Sequence, residues 1–268
     1  MHREDPLLLI DSEPALRASL HRPRDGAAHA LVLHLHGGAF TAGVPQGCAS
    51  VADLISDAGA VVVSLDYPLA PEHPFPQPAE AAYAALEWLA RNRRRFIAGD
   101  APLVVAGEEA GGNLAAAAAM MARDRAGPGL DGAILLSPML DVCVATASQR
   151  RANAGPVGCP WADGWRQYLP HACDASHPYA APGASVRLAG LPETLLLTAV
   201  DDAMCDETRS FARRLHDAGV PVHESVLPLA TGWPASYRKT SNQPPAWAQA
   251  VVEQAHRFLV QLSRRTSA

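Results

Sequence analysis

The chain carries little charge. Only 18% of its 268 residues are charged, and the formal net charge is -5. A surface of that kind lacks the electrostatic footprint of a protein that binds nucleic acid or an anionic membrane. The expected partner is a small molecule. Long apolar runs are also missing: no stretch approaches the roughly 18 residues of a membrane span. Near the start, only Leu7 to Ile10 separate Pro6 from Asp11. That is too short for the apolar part of a secretory leader, so a cytoplasmic location is expected. Cysteine is sparse, with five residues (Cys48, Cys143, Cys159, Cys173 and Cys205) and no CxxC spacing. An odd, scattered set reads as free thiols rather than a disulfide framework. His171-Ala172-Cys173 lacks the rest of a four-ligand set, so neither a metal nor a cofactor is expected.

What the chain does have is apolar content, 49% of its residues. That is enough for one large core, and a single domain over 1–268 is expected. Short apolar runs alternate with helical patterns, as in a mostly parallel sheet flanked by helices. Leu7 to Ile10 and Ala15 to Leu20 read as an opening hairpin. Further strands are predicted at Leu31 to Leu35, Val61 to Leu65, Leu103 to Ala106, Ala133 to Leu136, Thr194 to Ala199 and Val222 to Leu227. The fold class is therefore α/β, with about eight strands. A closing helix after Pro244-Pro245 places Trp247, Val251, Ala255, Phe258 and Leu262 on one face. The stretch from Val142 to Ser176 has no clear period and carries Trp161, Trp165 and Tyr168. It reads as a cap inserted over a pocket.

Two motifs carry chemistry. His36-Gly37-Gly38-Ala39-Phe40 directly follows a strand, where glycines let backbone N–H groups turn toward a developing oxyanion. Gly107-Glu108-Glu109-Ala110-Gly111-Gly112-Asn113 lies between a strand and an alanine-rich helix, the context of a nucleophile elbow.

These motifs resemble those of the hormone-sensitive-lipase-like branch of the α/β-hydrolases, whose elbow normally reads G-D-S-A-G-G-N. The resemblance runs from about Leu31 to the final helix. It extends to Asp66-Tyr67-Pro68-Leu69-Ala70-Pro71-Glu72-His73-Pro74-Phe75-Pro76, similar to the family's D-Y-R-L-A-P-E-H-P-F-P, and to Leu136-Ser137-Pro138-Met139-Leu140-Asp141. Leu188-Ala189-Gly190-Leu191-Pro192 and Asp202-Ala203-Met204-Cys205-Asp206-Glu207 correspond to L-A-G-L-P and D-P-L-R-D-E. The resemblance implies an α/β-hydrolase fold, an oxyanion hole at Gly37, Gly38 and Ala110, and Asp202 as the triad acid. Dimers are common among proteins of this kind, which leaves a homodimer open.

Two departures bear on function. Glu109 stands where the family places its serine, and Thr231 where it places its histidine. Threonine has no lone pair basic enough to act as a general base near neutral pH, unlike imidazole. Three roles for Glu109 compete. It is a general acid/base beside a retained oxyanion hole, or it fills that hole and blocks the site, or it is a carboxylate nucleophile. The third would stall without a histidine to assist hydrolysis. The retained motifs favour a non-hydrolytic enzyme of proton-transfer, lyase, isomerase or cyclase type. An inactive ligand-binding or scaffold protein is the alternative, and a weak carboxylic-ester hydrolase a further one. Phe40, Trp161, Trp165, Tyr168 and Trp233 are expected to line the pocket for a small, partly apolar ligand.

Overall fold

The computed structural model describes residues 3–10, 15–24, 28–43, 51–97, 100–155, 157–238 and 244–266. Eight strands form one sheet: β1 (Arg3–Ile10), β2 (Leu16–His21), β3 (Ala30–Leu35), β4 (Ala60–Asp66), β5 (Leu103–Glu108), β6 (Gly132–Leu136), β7 (Glu193–Ala199) and β8 (Val222–Leu227). Their spatial order is β1-β2-β4-β3-β5-β6-β7-β8. The pairs β1/β2 and β2/β4 are antiparallel, and every other pair is parallel. The eight expected strands are thus present at their expected places. β1 starts earlier than expected, and its ladder shifts register between Glu4 and Leu7. Pro6, which has no N–H to give, falls in that shift, as suits an edge strand.

The parallel strands are linked by helices, as parallel pairing requires. They are α1 (Val51–Asp57), α2 (Gln77–Arg91), α3 (Ala110–Asp124), α4 (Ala147–Arg151), α5 (Pro160–Tyr168), α6 (Cys205–Asp217) and α7 (Ala248–Thr266). Strands β3, β5, β6 and β7 are buried along their whole length, because helices cover both faces. On one face α2, α3 and α6 pack over Leu31, Leu33, Leu35, Val105 and Leu135. On the other, α1 and α7 cover Val32, Val62, Val104, Ala106 and Ile134. The alternation follows from the strand period of two. Ala115 to Ala119 are at most 5% exposed, so the alanine run serves close approach of α3 to the sheet as well as helix propensity. The closing helix buries Trp247, Val251, Ala255, Phe258 and Leu262 as predicted.

Within 142–176 the backbone folds into α4 and α5, where no period was legible. Each is marked at its start instead. Thr146 and Gln149 form a reciprocal capping box on α4. Cys159 caps α5 with its sulfur, and Pro160 follows in the first turn. Helix α5 lies directly on the loop after β3, and a Cβ at Gly164 would sit 2.2 Å from the Ala39 carbonyl oxygen. Cys143, Cys159, Cys173 and Cys205 are free thiols, and Cys48 lies outside the described residues. Among the described residues no helix is long and apolar enough to cross a membrane.

Candidate functional site

The loops after β3, β5, β6, β7 and β8 converge at the C-terminal edge of the sheet, where ligand sites of doubly wound folds are found. The turn from β5 into α3 is the tightest of them. Glu109 sits at its apex with φ 53° and ψ -118°, in the left-handed region that a bulky residue adopts only under constraint. Small neighbours enforce it. A Cβ at Gly111 would lie 1.9 Å from the Leu35 carbonyl oxygen, and one at Gly107 would lie 2.3 Å from that of Gly111. The apex is the strained strand-turn-helix that the sequence led us to expect.

Glu109 is 1% exposed, and its carboxylate faces the glycine loop. Oε2 accepts the Gly38 N–H at 2.6 Å, and Oε1 accepts the Trp161 Nε1–H at 2.8 Å. Its neighbour behaves alike: Glu108 Oε1 accepts the Gly37 N–H at 2.8 Å. The loop amides expected to stand ready for an oxyanion are therefore already donating to carboxylates of the elbow. Ala110, the third expected donor, opens α3 directly after Glu109.

Glu108 is held from behind. His34 Nε2–H donates to its Oε2 at 2.7 Å, and His34 Nδ1 meets Ser64 Oγ at 2.8 Å. Ser64 is register partner to Ser19 on β2. Ser19 Oγ meets His21 Nε2 at 2.9 Å, and His21 Nδ1 meets Asp53 Oδ1 at 2.8 Å. All six side chains are buried. They form a polar row across the sheet from α1 to the elbow, with a proton on each imidazole accounted for by its carboxylate.

Asp202 is 1% exposed and accepts from Ser137 Oγ at 2.6 Å, Thr198 Oγ1 at 2.5 Å and Met204 N–H at 2.9 Å. Burial pushes its carboxyl up to about 6, against the pull of those donors. Ser137 itself holds φ 48° at the end of β6. Thr231 bonds to Asp201 and not to Asp202. Its N–H and Oγ1 donate to Asp201, as does the Gly232 N–H at 2.8 Å. Burial works against the Asp201 charge, but the Thr231 and Gly232 donors outweigh it and hold the carboxyl below its usual range. Asp201, one residue earlier, takes the contact because its partly solvated side chain points outward, while Asp202 points into the core.

The aromatic residues divide. Trp161 alone of the expected five reaches the elbow. Phe40 stacks on Tyr168 with centroids 4.0 Å apart and lies 5.0 Å from Trp165, all three buried. They are packing between cap and loop rather than pocket lining, because α5 settles its apolar face on Phe40. Trp233 is likewise core, edge-on to Trp247 at 5.4 Å. The sequence reading did not single out Glu108 or Ser137 as functional. For Glu108 a signal existed: an acidic pair at the elbow, next to strands carrying His34 and Ser64.

The chain belongs to the alpha/beta hydrolase fold family, whose model matches residues 32–230. Among its relatives is esterase LipI of Mycobacterium tuberculosis, 34% identical over 203 residues, which cover 74% of this chain and 63% of that protein. An arylesterase of Saccharolobus solfataricus is 29% identical over 223 residues, 82% of this chain and 72% of its own length. The chain thus spans under two thirds of LipI. Among solved structures, a hyperthermophilic esterase from Pyrobaculum calidifontis aligns with TM-score 0.77 at 30% identity, covering 100% of this chain and 87% of that one. An arylesterase structure aligns at TM-score 0.82 with 24% identity, covering 98% and 85%, a likeness of fold. These findings agree with the resemblance to hormone-sensitive-lipase-like hydrolases.

Proposed function

We propose that this protein is a hydrolase-fold binding or scaffold protein, for a small, partly apolar ligand, in which the ester-cleaving site is closed from within. Glu109 takes the place of the serine nucleophile and Thr231 that of the histidine. The observation that carries this reading is the Glu109 carboxylate on the Gly38 N–H. Ester cleavage needs that donor for a developing oxyanion, and each such donor withdrawn costs about 3 kcal/mol of transition-state stabilisation. A second negative charge roughly 4 Å away adds about 4 kcal/mol at an effective dielectric near 20. Together these slow hydrolysis by about five orders of magnitude.

The same occupancy weakens the proton-transfer reading, which needs the loop amides free to hold an enolate. A second reading, a weak carboxylic-ester hydrolase, is favoured by relatives that carry the names esterase and arylesterase. Hydrolysis of p-nitrophenyl butyrate separates the two. The purified protein and its Glu109→Ser variant are both expected at the rate of the uncatalysed reaction, since Thr231 supplies no base. The Glu109→Ser, Thr231→His double variant is expected to stay there too, because position 231 faces Asp201 and not Asp202. Turnover by the wild type that Glu109→Gln abolishes would establish the hydrolase reading instead.

A further inference from the structure

A cavity of about 510 Å³ lies between the loop that leaves β6, the turn Pro182–Ala184 and the start of α6. That volume is within the range of small-molecule sites. None of its lining residues belongs to the elbow or to the glycine loop after β3. Leu140, Ala181 and Phe211 line it and are at most 3% exposed, whereas Cys143, Ala147 and Ala184 line it and are exposed, so an apolar floor meets an open rim. The walls are fixed by packing and hydrogen bonds. A Cβ at Gly183 would lie 2.5 Å from the Leu140 carbonyl oxygen, and α4 is tied to α6 by Ser148 Oγ on the Ala203 carbonyl oxygen at 2.8 Å and by Gln149 Nε2 on Glu207 Oε1 at 3.1 Å.

The charge in this lining has one sign. Asp141, Asp206 and Glu207 contribute to it, and among the described residues no Lys, Arg or His does. Glu207 is committed to structure: it is buried, and it accepts from the Leu140 and Asp141 N–H groups as well as from Gln149. Asp141 and Asp206 are committed only in part. Asp141 Oδ1 accepts the Cys143 N–H at 2.9 Å and Asp206 Oδ2 the Ser148 N–H at 2.7 Å, which leaves one oxygen of each without a hydrogen bond among the described residues. The arginines of α6 are turned elsewhere, Arg209 to Glu224 and Arg214 to the carbonyl oxygens of Gly183 and Ser185. An anion is repelled by such a lining, and a neutral molecule leaves its charge unanswered, whereas a cation meets both free oxygens. The apolar floor asks for a hydrophobic body on the same molecule. We propose that this cavity binds a small organic cation, an ammonium group on an apolar body, with Asp141 and Asp206 holding the charged end and Leu140 and Phe211 the apolar one. The site stands apart from Glu109, so the assignment holds whether the elbow is closed or cleaves esters.

The probes are phenethylammonium, 2-phenylethanol and 3-phenylpropionate, which share one body and differ in charge, each titrated into the full chain by calorimetry. Phenethylammonium is expected to bind, 2-phenylethanol to bind about tenfold more weakly for want of one charge-assisted hydrogen bond, and 3-phenylpropionate not to bind measurably. Cys143 reports the place, because it is an exposed thiol in the lining. Its alkylation by iodoacetamide, followed by mass spectrometry of its peptide, is expected to slow when phenethylammonium is bound, while that of Cys173, exposed and outside the cavity, keeps its rate. Asp206→Asn retains an oxygen for the Ser148 N–H and is expected to bind phenethylammonium about tenfold more weakly. Equal affinity for the three probes, or no binding of the cation, would overturn the assignment. Binding that leaves Cys143 unprotected, or that a folded Asp206→Asn does not weaken, would overturn it as well. Should that variant fail to fold, the charge series and the thiol protection of the wild type decide alone.

Discussion

At the scale of single residues, Glu109 behaves as a structural ligand to its own protein. In a working elbow the strained residue is kept for chemistry, and replacing it relieves a cost. Here replacement removes two hydrogen bonds, one from the buried Gly38 N–H and one from the half-buried Trp161 indole. Glu109→Ala is expected to destabilise the fold by about 1–3 kcal/mol, read as a lower urea midpoint at unchanged slope, because Gly38 N–H and Trp161 Nε1–H lose their acceptor. A rise in the midpoint would mean that strain dominates and the contact is idle. Asp202 gives a pH signature. Its folded carboxyl is raised to about 6, so its contribution to stability is full below the unfolded value near 4 and is lost as pH rises through 6. Asp202→Asn removes that penalty. Its melting temperature should exceed that of wild type at pH 7.5, by the equivalent of about 3 kcal/mol, with the gap closing toward pH 4. Equal melting at pH 7.5 would show that the three donors fully compensate burial. The sequence made Glu109 legible as the odd residue of a known pattern. Where its carboxylate points was not legible, since that depends on Trp161 reaching back from 52 residues away.

At the scale of elements, the strands could be read because β3 and β5 to β7 carry short, mostly apolar runs (Leu31–Leu33, Leu103–Ala106, Ala133–Leu136 and Leu195–Leu197), as strands of a sheet covered on both faces do. Helices α4 and α5 were not, because five and nine residues are too short to show a period. Their starts were in the text as T-x-x-Q and C-P. The assignment of pocket aromatics failed for the same reason: without α5, nothing says that Phe40 faces Tyr168 and not a ligand. The junction of β5 and α3 is the least forgiving element boundary. Gly111→Ala would drive a methyl group into the end of β3. A loss of at least about 3 kcal/mol is expected, seen as insoluble expression or a collapsed melting temperature, as for other steric overpacking at backbone contacts. Normal expression and melting would show that the elbow can move aside from β3.

At the scale of the whole molecule, the polar row from Asp53 to Glu108 ties four strands and a helix to the glycine loop after β3. Cutting it in the middle tests whether it holds the structure together. His34→Phe leaves Glu108 buried with its Gly37 contact alone, and removing one partner of a buried pair costs about 3–5 kcal/mol. A guanidinium chloride midpoint equal to that of wild type would show the row to be incidental. The row also has a consequence for the order in which the chain is made. Its members lie on the sheet face roofed by α1 and α7, and α7 is built from residues 248–266. During synthesis at the ribosome, the apolar surface of that face stays open to water until α7 emerges and closes over it. A chain truncated before α7 should leave the ribosome with that face open and should engage chaperones that the finished protein does not.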